Sequence, residues 1–294
     1  MLKVFKWFLM LLVVLVVLSL IGIWYIGAWN ILFPSHTHEI QPPTLPATLT
    51  SPAVLVFTKT NGFRHADGIE GGKAAIDALS KSDGFSVFAT ENGAVFNARD
   101  LALFDSVIFL NATGDLFNEQ QEQAFAQWIM GGGGWVGIHA AGDSSHAGWD
   151  WYREELIGAD FTAHIMGPQF QAAKVVLENQ WHSVLANLPD TWLHTEEWYS
   201  WAESPRVEGF TVLATLDEES YSPVQKIFGN ENDLSMGDHP VVWSNCIGEG
   251  RSVYLAMGHR ADAFEQPQVR QLLKNAIAWS RAGGECKTAR DAMQ

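Results

Sequence analysis

Cations are scarce in this chain. Its 294 residues carry 18 Lys and Arg against 33 Asp and Glu, a formal net charge of −15. A protein that grips nucleic acid needs a basic stripe to neutralise phosphates, so this balance excludes nucleic acid as a partner. Solubility is the plain reason for the acidity. Cysteine is nearly missing as well. Only Cys246 and Cys286 occur, without a CxxC pattern, which argues against a thiolate metal site. Whether the two pair is open at this level. His239 and His259 sit in no compact HxH or HExxH pattern. Beyond residue 52 there is neither an internal repeat nor a low-complexity stretch.

What is abundant at the N-terminus is apolar surface. From Trp7 to Trp29 no charged residue occurs, and about 20 apolar residues suffice to cross a bilayer as a helix. Lys3 and Lys6 precede the run, which predicts a cytoplasmic N-terminus (residues 1–6) and a transmembrane anchor over 7–29. Trp24, Tyr25 and Trp29 stand near its far end, where amphipathic rings suit the lipid interface. The exit, "GIWYIGAWN", is too bulky for a small-x-small cleavage site, so an uncleaved anchor is favoured over a signal peptide. Either way the rest is expected on the periplasmic or extracellular side. Pro34, Pro42, Pro43, Pro46 and Pro52 then make residues 30–52 a stiff, extended tether.

The remainder alternates strand and helix. Residues 53–58, 85–90, 106–111 and 135–139 are short apolar runs of the kind buried on both faces of a parallel sheet. Residues 68–80 and 118–130 have helical periodicity, the second opening on Asn118 as N-cap. Residues 170–178, 210–216, 239–245 and 251–259 read as further strands, and 267–281 as a last helix. This is the pattern of an α/β domain with a mostly parallel central sheet, expected over 53–282 with a tail over 283–294.

Ligands of such sheets bind beyond the carboxyl ends of the strands. The stretch "GGGGWVGIHAAGD" (131–143) has the form of a nucleophile elbow: a glycine-rich entry, an apolar strand and an abrupt polar exit. Its apex is His139, a residue suited to proton transfer, to hydrogen bonding a substrate oxygen, or to metal ligation. His65, in "NGFRHAD" after the first strand, is expected at the same edge, with Arg64 as a substrate clamp or a surface ion-pair partner. Glu196 and Glu197 adjoin, so an extended backbone sends them to opposite sides and at most one faces the site. Glu196 is slightly preferred, as the group that orients a histidine. Asp143, His239 and His259 are further candidates for substrate contact, and His164 can line the same crevice. Several histidines near one crevice also admit a divalent metal, with ligands unassigned. Trp149, Trp151 and Tyr199 are candidate stacking surfaces for a sugar, although core packing accounts equally well for about half of such aromatics.

Six segments occur in an order that resembles the ThuA-like, trehalose-utilisation family: "GFRH" (62–65), "GGGWVGIHAAGD" (132–143), "WDWYREELIGADFTAH" (149–164), "EEWYSW" (196–201), "HPVVW" (239–243) and "GRSVYLAMGHRADAF" (250–264). The resemblance implies a flavodoxin-like, class I glutamine amidotransferase-like three-layer sandwich, and an association with sugars and keto-sugar derivatives. Amidotransferases of that fold place a cysteine where His139 stands. Imidazole is a poor stable acyl carrier and neither cysteine is close in sequence, so Cys-dependent amidotransfer is disfavoured. The proline that the family often has after the histidine at position 182 is missing here, which weakens a role for His182.

Three functions follow as expectations. The first is an anchored enzyme that acts on a small carbohydrate by histidine-mediated proton transfer through His139 and His65. The others are a non-catalytic carbohydrate-binding module and a metal-dependent hydrolase.

Overall fold

The computed structural model describes residues 2–26, 28–146, 148–227, 229–284 and 286. Of the tail expected over 283–294, all but residues 283, 284 and 286 lie outside this set.

The chain opens with helix α1 (Leu2–Tyr25), of which Lys3–Tyr25 is long and apolar enough to cross a membrane. It ends earlier than the apolar run, and a separate turn of helix, α2 (Trp29–Leu32), follows. The next residues do not hang free as a spacer. The Lys59 ammonium, almost wholly buried, donates to Thr37 O at 2.7 Å, Glu39 Oε2 at 2.8 Å and Leu116 O at 3.0 Å. Glu39 also accepts from Gly93 N, and Gln121 donates to its carbonyl. An extended strip with few internal hydrogen bonds is thus held on the domain by buried polar contacts.

The domain follows in the order β1 (Ala53–Phe57), α3 (Ala66–Asp83), β2 (Ser86–Thr90), α4 (Ala98–Leu101), β3 (Ser106–Leu110), α5 (Glu119–Met130) and β4 (Gly134–Ile138). Then come β5 (Phe161–His164), β6 (Gln171–Leu177), β7 (Thr191–Glu196), β8 (Tyr199–Trp201), β9 (Thr211–Asp217), β10 (Val224–Ile227), β11 (Asn230–Asp233), β12 (Pro240–Ile247), β13 (Gly250–Leu255) and α6 (Pro267–Ser280). Nine strands form one sheet in the order β2-β1-β3-β4-β13-β12-β9-β6-β7. The first five are mutually parallel; from β13 onward each neighbour is antiparallel, so β9 and β7 again point the same way as β1. Every residue of β1, β3 and β4 is buried, the reason those runs are apolar without alternation, Ser106 at the start of β3 excepted. β6 and β7 alternate buried with more exposed positions, as a half-covered antiparallel edge requires.

Local sequence sets the boundaries. Asn118 and Gln121 form a reciprocal capping box that starts α5. α3 starts two residues before the expected point and stops at Gly84, whose φ of 70° suits the residue after a helix. The glycine run before β4 serves packing: a Cβ at Gly134 would lie 1.8 Å from Ser280 O of α6. Cys246, in β12, and Cys286, just after α6, form a disulfide, with their Cα atoms 5.7 Å apart.

His182 lies outside the candidate site, packed on Trp279 with its Nδ1 accepting from Val184 N. Burial, and then the charge of Arg251, push its pKa down from 6.5 to about 4. A lowered histidine stabilises the fold fully above the unfolded value and loses that contribution as pH falls from 6.5 toward 4, because the unfolded chain takes up a proton that the folded site refuses. The loss at pH 4 is on the order of 3 kcal/mol. His182→Asn is therefore expected to flatten the pH dependence of urea unfolding between those values; an unchanged slope would show that His182 is not held neutral.

Candidate functional site

The strands that point the same way end at one edge, and each of their ends delivers a polar group. His65 follows β1, Asn111 follows β3, His139 follows β4, His259 follows β13, and Glu196 with Glu197 follow β7. In the sheet β7 is four strands from β13, about 19 Å at the usual strand spacing. Yet Glu196 Oε2 accepts from Gly258 N at 2.7 Å. The antiparallel half therefore curls back over the end of the parallel half.

One ligand-type atom from each of His65, His139, Glu197 and His259 lies within 4.8 Å of the others. His139 Nε2 is 3.1 Å from His259 Nδ1 and 3.4 Å from Glu197 Oε2, and His259 Nδ1 is 3.0 Å from the same oxygen. The three imidazoles stand nearly perpendicular to one another, with centroids 4.6–5.0 Å apart. His139 is fixed from behind: its Nδ1 donates to Ala256 O at 2.8 Å, which leaves Nε2 as the nitrogen facing the cluster. Its carbonyl accepts from the Tyr254 hydroxyl at 2.6 Å, and Tyr199 packs on its ring. Glu197 Oε1 faces the other way, accepting from Gln169 Nε2 and lying 3.1 Å from His164 Nδ1.

The electrostatics favour positive charge at this point. Burial works against a charged His139, but the Glu197 hydrogen bond and the charges of Glu196 and Glu197 outweigh it and raise the ring's pKa. Burial likewise works against the Glu197 carboxylate, and hydrogen bonds to His139 and His259 outweigh it, so its pKa falls well below the usual carboxylate range. His65 has no such partner: burial first, then His139 and His259, push it well below the ordinary imidazole value. Its buried Nδ1 has no hydrogen-bond partner among the described residues.

His65, Glu197 and His259 of the cluster line a cleft of about 970 Å³, walled by Phe63, Phe161, Met166 and Tyr199, and by Ile26, Ile31 and Pro34 from the chain that follows α1. His139 is fully buried, whereas the side chains of His259 and His164 are 15% and 28% exposed. A substrate in the cleft therefore meets His259, His164 and the edge of His65, with His139 behind them.

Several sequence expectations change against this geometry. The preference for Glu196 over Glu197 reverses. Glu196 spends both oxygens on the amides of Gly258 and Glu197, and the adjacent, oppositely directed Glu197 enters the cluster. His239 is not in the cleft; it is buried between Glu218 Oε1 and Tyr199 O, both at 2.8 Å. Trp149 and Trp151 do not line the cleft either. They pack with Phe125, and Trp149 also against Phe117 and Tyr152. Arg64 pairs with Glu91 at 2.8 Å and borders a neighbouring cavity. Asp143 and Tyr199 do reach the cleft, although the Asp143 carboxylate is engaged by Ser145.

Gln169 is a residue the sequence did not single out, and Asn111, expected at this edge as the end of its strand, takes a structural role there. Asn111 ties the two histidine loops together: its Nδ2 donates to Gly258 O at 3.0 Å and its Oδ1 accepts from Ala140 N at 3.3 Å. The signal was a polar Asn ending an otherwise apolar strand in "SVIFLN".

A mostly parallel sheet with its polar residues gathered at the carboxyl edge is the class of α/β sandwich with a flavodoxin-like core. Within it, the trehalose-utilisation family profile, ThuA, matches residues 53–280, and the chain belongs to that family. A ThuA-like protein from Bacteroides uniformis is 28% identical, with a TM-score of 0.67 over 82% of this chain and 95% of that one. A second, from Parabacteroides merdae, is 17% identical with a TM-score of 0.61 over 81% and 92% of the respective chains. A cytoplasmic protein from Salmonella typhimurium shares the fold at 11% identity, with a TM-score of 0.51 over 78% of this chain and all of its own. No curated protein matches.

Asn111→Gly removes the bridge without opposing the backbone φ of 52° at this position. It leaves Gly258 O and Ala140 N without these hydrogen bonds, and is expected to lower unfolding free energy by about 1–3 kcal/mol in denaturant titration. An unchanged midpoint would mean that the loops hold their positions without it.

Proposed function

We propose that this protein is an enzyme acting on a sugar or keto-sugar derivative at the His65–His139–Glu197–His259 cluster. The observation that carries the reading is the convergence of these four groups at the carboxyl edge of the sheet, three of them lining one cleft with His139 behind. A carbonyl or hydroxyl oxygen of the substrate sits against the cluster, which is suited to charge that develops on that oxygen. His164, at the cleft side of Glu197, is placed to move a proton to or from the neighbouring carbon. His139 is too deep to touch substrate and acts by positioning. Family membership supports the sugar class.

The inward packing of Trp149 and Trp151 removes the main support for a carbohydrate-binding module built on stacking. The anchor is read as uncleaved, with the domain outside the cytoplasm. Lys3 and Lys6 at its start and the Cys246–Cys286 disulfide both support that side. Ile26 and Ile31 in the cleft wall support a site that opens beside the membrane surface.

The test is turnover of a panel of glycosides and their keto derivatives by the full-length protein in detergent. His164→Gln is expected to cut kcat by about 10²–10⁴-fold with little change in KM, the range for loss of a general acid or base. Failure of the wild-type protein to convert any of the panel, or full activity in His164→Gln, would overturn the respective part of the reading.

A further inference from the structure

We infer that the cluster is a binding site for one divalent first-row transition ion, of which zinc is the type, with Glu197, His139 and His259 as the inner ligands and His65 as the fourth. The inference deepens the proposed function but rests on separate observations of geometry.

Ligand atoms about 2.0–2.1 Å from a tetrahedral zinc sit roughly 3.3–3.4 Å from one another. The three shortest separations here are 3.0, 3.1 and 3.4 Å, and they connect an imidazole Nε2, an imidazole Nδ1 and a carboxylate oxygen in a closed triangle. Hydrogen bonds alone satisfy such a triangle poorly. Glu197 Oε2 only accepts, and if His139 Nε2 and His259 Nδ1 both donate to it they are left facing each other 3.1 Å apart with no acceptor between them. A cation at the centre satisfies all three at once. Near-perpendicular rings are also what ligands approaching one ion from different directions adopt.

The surroundings fit the same reading. Metal-bound histidines usually donate their second ring nitrogen to a carbonyl or carboxylate, and ligating carboxylates are themselves hydrogen-bonded. His139 donates to Ala256 O, and the outer oxygen of Glu197 accepts from Gln169. His65 contributes a buried Nδ1 that has no other partner among the described residues. Two adjacent buried carboxylates, Glu196 and Glu197, supply negative charge that a dication offsets. An N₃O donor set selects zinc, iron, cobalt or nickel over magnesium and calcium, which prefer oxygen. A substrate oxygen reaching the ion from the cleft would enter as a fifth ligand, and the ion would then polarise a sugar carbonyl or hydroxyl.

The experiment uses full-length protein in detergent, stripped with chelator and titrated with Co²⁺ and then Zn²⁺. Expected are one Co²⁺ per chain with visible d–d absorption, its displacement by Zn²⁺, and a rise in melting temperature on binding. His259→Ala and Glu197→Gln should each weaken Zn²⁺ by about 100-fold or more, since loss of an outer-shell partner alone costs 10–100-fold. His38→Ala, outside the cluster, should bind as wild type. Circular dichroism establishes that each variant is folded, and His259, being the most exposed ligand, is the substitution least disruptive to the core. Absence of stoichiometric binding to the folded wild-type protein would overturn the inference, as would undiminished binding in a folded His259→Ala, which would put the ion elsewhere. Neither readout needs turnover, so failure to find a substrate and failure to bind metal are distinguishable.

Discussion

The hydrogen bond from Gly258 N to the Glu196 carboxylate joins the two halves of this domain. On one side is the parallel half, whose last strand, β13, ends at Leu255. On the other is the antiparallel extension, whose edge strand, β7, ends at Glu196 itself. That contact, together with Gln266 bonded to His194 and to Leu193 O of β7, brings Glu197 within reach of His139, which the order of the strands alone does not. A carboxylate that accepts two main-chain N–H groups in a buried position is among the stronger interactions available to a protein, and each donor would be left costly if it were lost. Glu196 thus sets the site although it takes no part in the cluster. The same group fixes Gly258, and through it the direction in which His259 leaves the strand.

Asn111 completes this arrangement from the parallel side. It is held at a φ of 52°, next to His139 at 48°, so the ends of two adjacent strands both turn through the left-handed region. Asn and His are among the few side chains that enter that region with modest strain. Close packing beneath leaves little slack. A Cβ on Gly68 would come within 2.3 Å of Gly258 O and 2.5 Å of His259 O, so α3 touches the turn that carries His259. Loops built this way are positioned by main chain and core rather than by their own side chains, which suits a site that must hold four groups in fixed relation.

The parallel sheet was legible because strands buried on both faces are continuously apolar, and 53–57, 107–110 and 134–138 carry no polar side chain, with Ser106 at the start of β3 bonded to Ser280. The carboxyl-edge rule then named His65 and His139 without coordinates. It could not separate Glu196 from Glu197, because alternation says only that they oppose each other; which one faces the cluster depends on how the antiparallel half curls. His239 does stand at this edge, because β12 runs opposite to β13 and Val242 near its start pairs with Leu255; its ring misses the cleft because Glu218 and Tyr199 O hold it, which no strand-end rule foresees. Trp149 and Trp151 misled for a different reason. Indole serves a core and a sugar equally well, and only their neighbours, Phe117, Phe125 and Tyr152, tell which. The Pro-rich segment has an extended composition in either setting, and its docking rests on scattered polar groups of the domain, Lys59 and Gln121 among them, that no periodicity singles out.

The elbow at residues 131–143 is the point where fold and chemistry meet. In an enzyme that uses an elbow nucleophile, the sharp turn lifts the apex side chain out of the sheet toward substrate. Here the turn is kept, with a positive φ at its apex, but the side chain is directed sideways across the end of β13. Tyr254 and Ala256, both from that neighbouring segment, grip the His139 carbonyl and ring. A cysteine in this place would lack the reach and the second nitrogen needed to be held from one side while facing the cluster from the other. Histidine has both. Histidine at the apex therefore turns a device for exposing a nucleophile into one for aiming a fixed ring nitrogen at a buried point, and the exposed work passes to residues from other strand ends.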